Sequence, residues 1–136
     1  MNVSKFITFQ YDSPNRLLIS CWLTTAQMSD EEYRQVAMAY REACEIYRPF
    51  RSLIDGRRAC YVIPPQTQLW LSDNIYPQCI KAGVHKLAFL VAKDFYTQIS
   101  LELTVLESEE KIRTNLQKLQ QFFFADFDKA KAWLLS

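Results

Sequence analysis

A chain of 136 residues with an apolar fraction of 49% is the size of one domain and holds enough apolar side chain for a single core. A formal net charge of +1, with no basic or acidic tail, removes the electrostatic case for nonspecific nucleic-acid binding. The longest apolar run, Leu87 to Ala92, is far below the roughly 20 residues that cross a bilayer, and the N-terminus lacks the charged-then-apolar order of a signal peptide, so no membrane span and a soluble, cytoplasmic protein are expected.

The stretches Lys5 to Tyr11 and Arg16 to Leu23 are rich in β-branched and aromatic residues and flank the turn formers Asp12-Ser13-Pro14-Asn15, which predicts an antiparallel hairpin. Phe6, Thr8 and Gln10 alternate with Ile7, Phe9 and Tyr11, so one face of the first strand is wetter, as at a sheet edge. Ser29 with Glu32 three residues on is a capping box that starts a helix. Tyr33, Val36, Ala37, Tyr40, Cys44 and Tyr47 recur at three- and four-residue steps to give it a packed face, and Pro49 ends it.

Arg51 to Asp55 is short and apolar at its centre, which suits a strand buried on both faces. A helix follows from about Pro65, since a first turn tolerates the missing N–H. Pro77 inside that region predicts a kink or split between Asp73 and Tyr76, and Gly83 supplies a left-handed close. Leu87 to Ala92 reads as a central strand covered by helices on both sides.

Phe95, Ile99, Leu103 and Leu106 mark a helix from Asp94 to about Ser108. Glu107 to Gln121 is polar with Ile112, Leu116 and Leu119 at helical spacing, which leaves the boundary between helix and loop open. Phe122 to Phe124 forms a closing strand, and Asp126 caps a terminal helix with Phe127, Ala130, Trp133 and Leu134 on one side. The order ββαβαβαβα predicts a single α/β domain: a sandwich with a mixed, mostly parallel five-stranded sheet and about four helices.

Chemistry-bearing residues are sparse. Cys21, Cys44, Cys60 and Cys79 are dispersed, without the close pairs of zinc or dithiol sites, and read as reduced core or near-core residues. His85 is the sole histidine and stands at the amino end of its strand, which excludes metal sites needing two imidazoles. No Ser-His-Asp order, glycine-rich phosphate loop or paired helical glutamates can be assembled, so no catalytic set, metal or cofactor is expected.

The carboxyl ends of strands three and four, beside the start of the second helix, are where an open α/β sheet binds ligands. Asp55, Arg57, Arg58, Tyr61, Gln66, Thr67, Gln68, Lys93 and Asp94 fall there, and the helix end invites an anion or a partner's carboxylate. Trp70 with Gln66, Thr67 and Gln68 forms a polar and aromatic recognition surface. The plainer account makes Asp55 a turn cap, leaves both arginines solvated, lets Lys93 and Asp94 end a strand, and puts Trp70, Trp22 and Trp133 in the core.

The segments Leu53-Ile54-Asp55-Gly56, Gly83 to Val91 and Phe124 to Leu134 resemble the SpoIIAA-like branch of the STAS domain superfamily, the closing phenylalanine, aspartate, alanines and Trp-Leu most of all. The resemblance covers most of the chain and implies a bacterial, noncatalytic regulator related to anti-sigma-factor antagonists, which docks a protein partner or binds a small ligand. In the antagonist branch a phosphorylatable serine follows an aspartate at the start of the helix after strand three. The matching stretch here, Ile63-Pro64-Pro65-Gln66-Thr67, has no Asp-Ser pair, and Thr67 is a poor substitute. A second expectation is a carrier of a small apolar or lipid-like molecule between sheet and helices, suggested by an aromatic fraction of 14% and by the distant likeness of STAS folds to lipid-transfer domains. An enzyme using Asp55 or Asp94 as a base is a third, and homodimerisation through the hairpin edge or an exposed helix is left open.

Overall fold

The computed structural model describes residues 1–136. After a short 3-10 turn at Val3–Lys5 the elements run β1 (Ile7–Asp12), β2 (Leu17–Trp22), α1 (Asp30–Tyr47), β3 (Arg51–Asp55), α2 (Pro65–Asn74), α3 (Tyr76–Ala82), β4 (Lys86–Leu90), α4 (Phe95–Thr114), β5 (Gln120–Phe124) and α5 (Phe127–Leu134). The fold is α/β. Its five strands lie in sequence order, β1 antiparallel to β2 and every later pair parallel.

Parallel crossovers have one hand, so moving one strand along in the same direction each time puts every crossover helix on the same face of the sheet. Ile7, Leu18 and Trp22 therefore share an 18-residue cluster with α1, α2 and α3, and Leu87 and Phe89 pack with Val105 of α4. The opposite face receives α5 alone: Ala130 and Leu134 pack on Leu17, Leu53, Ala88 and Leu90. Thus β4 is covered on both faces, as its apolar run predicts, but it ends at Leu90, two residues early.

The local signals place most boundaries. Ser29 and Glu32 form the reciprocal cap of α1, which closes through Arg48 in the left-handed region just before Pro49. The helix after β3 breaks at Ile75, where Pro77 forbids continuous bonding, and α3 closes at Gly83 with φ 123°. Asp94 and Asp126 accept bonds from the backbone N–H groups of Thr97 and Lys129 and so cap α4 and α5.

Helix α4 settles the end and the orientation that its spacing left open. It runs unbroken to Thr114, and Phe95, Ile99, Leu103 and Leu106 face outward; Phe95 is 69% exposed and Leu106 64%. The buried face carries Thr97, Ser100, Thr104 and Ser108 with Val105 and Ile112, and the helix packs against α2. Ser100, Thr104 and Ser108 donate their hydroxyls to carbonyls of their own helix, so these small polar residues are buried without orphaned donors.

Other placements also differ. Leu116, expected on a helical stripe, occupies a left-handed turn with φ 56° and is exposed. Tyr47 is exposed on the far end of α1, stacked on Tyr11 with ring centroids 4.7 Å apart. Trp22 is core, whereas Trp133 is half-buried over Phe122 and Phe124, and Trp70 is half-buried beneath the Arg34 guanidinium. All four cysteines are free; Cys44 and Cys79 are buried, but Cys60 is exposed, against the expectation of a near-core position.

Candidate functional site

Because β3 and β4 are parallel neighbours, their carboxyl ends open on one rim of the sheet. The expected site residues reach that rim but divide into three groups. Asp55 shares its sheet face with Leu53, the face on which α5 packs. Arg57 folds back on it: the Asp55 carboxylate accepts from the Arg57 backbone N–H at 3.1 Å, from Nε at 3.0 Å and from Nη2 at 2.8 Å. Burial pushes the Asp55 carboxyl upward, but the Arg57 bonds outweigh it and hold the group below the usual aspartate value.

The second group lies on the helical side and is organised by a residue the sequence reading treated only as part of a helix start. Asp30 accepts hydrogen bonds from the Tyr61 hydroxyl at 3.1 Å, from the Thr67 hydroxyl, and from Arg34 Nε at 2.9 Å. The Arg34 guanidinium in turn lies 4.9 Å from the centre of the Trp70 ring. Burial, followed by the bond to Asp30, pushes the Tyr61 hydroxyl up to about 12. The four-residue step from Asp30 to Arg34 was the one local signal that marked this cluster.

The third group is Lys93 and Asp94, exposed at the start of α4, where Asp94 serves as the helix cap. The start of α2 offers little to an anion. Pro65 has no N–H, the Thr67 and Gln68 N–H groups both bond the Pro64 carbonyl, and the nearby Asp30 carboxylate adds negative charge. Gln68 donates its amide to the Ile63 carbonyl at 2.9 Å, while the side chains of Gln66 and Arg58 are exposed and make no polar contact within the chain. No three His, Cys, Asp or Glu side chains come together as a metal cage.

Between the sheet and helices α1 to α4 lies a hollow that no periodicity announces. Its cavity volume is about 80 Å3. Of its 22 lining residues 18 are hydrophobic and none is charged. The contacting rings of Trp22, Tyr33 and Tyr61 line it together with Ile54, Leu87 and Phe89 of the sheet and with Tyr76, Ile80 and Leu119. Thr24 borders both this hollow and a shallow outer groove made by Leu23 to Gln27, Arg58 and Cys60.

The polar atoms of the wall are mostly satisfied within the protein. Tyr40 bonds Ser52 at 2.6 Å, Trp22 donates to Ser20 at 3.0 Å, and Thr97 donates to Asp94 at 2.7 Å. Burial raises the pKa of Tyr33 far above the ordinary phenol value, with the Tyr76 and Tyr61 hydroxyls and the Asp30 carboxylate adding to the shift. The arrangement can enclose an apolar molecule in a dry space. Comparison of the chain with protein-family models, with curated proteins and with solved structures finds no match.

Proposed function

We propose that the protein is a noncatalytic binding module that houses a small apolar or amphipathic molecule between its sheet and helices α1 to α4. The observation that carries this reading is the uncharged hollow with 18 hydrophobic residues among 22. An apolar void of 80 Å3 left empty costs on the order of 2 kcal/mol at ~24 cal/mol per Å3, which an occupant offsets. The resemblance of Leu53 to Gly56, Gly83 to Val91 and Phe124 to Leu134 to SpoIIAA-like STAS domains supports a binding role over a catalytic one. Native mass spectrometry of gently purified protein tests the reading: a bound small molecule is expected. Bare protein whose melting temperature is also unmoved by naphthalene or 1-decanol would remove it.

The outward face of α4 favours a second reading, in which two copies of the chain pair through that helix as part of a regulatory assembly. Phe95, Tyr96, Ile99, Leu103 and Leu106 together expose on the order of 600 Å2, at the upper end of what a monomer's largest apolar patch reaches and close to what each side of a small specific interface buries. No helix is long and apolar enough to cross a membrane, and Glu102 and Glu107 flank the stripe, which disfavours an anionic lipid surface. Sedimentation analysis should show a dimer that Leu103→Glu converts to monomer; a monomer throughout the micromolar range counts against pairing. A separate protein partner at the rim would meet Arg58, Gln66 and Lys93, the exposed side chains there that no intramolecular bond occupies.

A further inference from the structure

The hollow has a chemical preference. None of its lining residues is cationic, and two carboxylates bond its wall: Asp30 holds the Tyr61 hydroxyl at 3.1 Å and Asp94 the Thr97 hydroxyl at 2.7 Å. A carboxylate entering this space leaves water without a cationic partner in the wall and approaches Asp94, which, unlike Asp30 with Arg34, has no ion-pair partner; both effects oppose it. A neutral head group has no such cost.

The same wall offers a neutral head group its bonds. Tyr33 is 5% exposed and lines the hollow, yet its hydroxyl is engaged in no hydrogen bond within the chain. Thr24, 3% exposed, likewise borders the hollow with a side-chain oxygen that no protein group engages. Neither hydroxyl is sealed off as a buried atom, so both stay open to the hollow or its mouth, where a ligand's polar atom can bond them. Hydroxyl groups can both donate and accept, which suits them to another hydroxyl.

We infer that the hollow takes an uncharged amphiphile with a single hydroxyl head and an apolar tail, held by Tyr33, and rejects the carboxylate of the same chain length. This rests on the hollow being a ligand site, and the experiment separates the two claims. Displacement of the fluorescent probe N-phenyl-1-naphthylamine from the whole protein at pH 8 is measured with 1-decanol, decanoate and decane. The expected order is 1-decanol tightest, decane weaker, and decanoate weakest by about tenfold or more. Tyr33→Phe should weaken 1-decanol by ~3- to 10-fold, the worth of one hydrogen bond, and leave decane unchanged.

Decanoate equal to or tighter than 1-decanol overturns the head-group inference while leaving the site intact. An equal loss for 1-decanol and decane in Tyr33→Phe removes Tyr33 as the anchor and overturns it too. Failure of the probe, 1-decanol and decane alike to bind overturns the site itself.

Discussion

Tyr33 of α1 stacks on Tyr61 of the loop after β3, with ring centroids 4.5 Å apart and planes at 19°. The Tyr61 hydroxyl then reaches Asp30, nearly one turn ahead of Tyr33 on the same helix. Ring and hydroxyl together clamp the loop to α1 and make it a wall of the hollow. Removing the hydroxyl alone, Tyr61→Phe, should cost about 1 kcal/mol, since Asp30 keeps two other donors. Tyr61→Ala should cost about 3 kcal/mol through lost packing. Urea unfolding separates them; equal losses would mean that the stack contributes nothing.

Helix α4 wears its apolar stripe outward, which inverts the usual cost of substitution. Leu103→Gln should change stability by less than about 0.5 kcal/mol, as surface changes do. Ser108→Leu, at a position without exposure, should cost ~1–3 kcal/mol by overpacking against its surroundings. Thermal unfolding of the two variants, measured at a concentration where the protein is monomeric, checks the orientation. A large loss for Leu103→Gln would return the stripe to the core.

The four thiols should react in a fixed order. Cys60 is exposed and reacts first with a thiol-specific disulfide reagent. Cys21 follows slowly, because burial and then the Asp55 charge raise its pKa. Cys79 is held high by its contact with Cys44 and by burial, and Cys44 is itself fully enclosed, so both wait for unfolding. Counting released chromophore against time in native buffer and in urea tests this. Four equally fast thiols in native buffer would contradict the packing of α1 on α3.

Acid should expose the Asp55–Arg57 pair. The folded pKa of Asp55 lies below its unfolded value, so its contribution is whole above the ordinary aspartate pKa near 4 and is lost as pH falls through the folded value. The gap in urea midpoint between the native protein and Asp55→Asn should therefore be steady from about pH 5 to 7 and shrink toward pH 2. A gap that widens in acid would reverse the sign of the shift.

A neutral apolar occupant should raise stability without altering pH dependence between about pH 5 and 8, since no lining group titrates there. Saturating 1-decanol at one hundred times its dissociation constant should add about 2.7 kcal/mol to the unfolding free energy. Calorimetry at three pH values across that range provides the measurement; a strong pH dependence would place a titrating group at the site.

What the amino-acid order settles by itself is what neighbours within a few residues settle. The caps at Ser29 and Asp126, the stop at Pro49, the break before Pro77 and the apolar run of β4 each depend on contacts inside one turn or one strand, so the α/β order was legible. Periodicity identified α4 as a helix but not which way its stripe points, because direction depends on what lies opposite. Helix α2 packs against α4, whose buried face carries Ser100, Thr104 and Ser108, and that packing turns Leu103 and Leu106 to solvent. Asp30 gathers Tyr61 and Thr67 from 31 and 37 residues away, beyond any local pattern. The hollow is the purest product of tertiary structure: its walls come from β2, β3, β4 and four helices, and an empty volume between elements leaves no mark on the spacing of residues within any one of them.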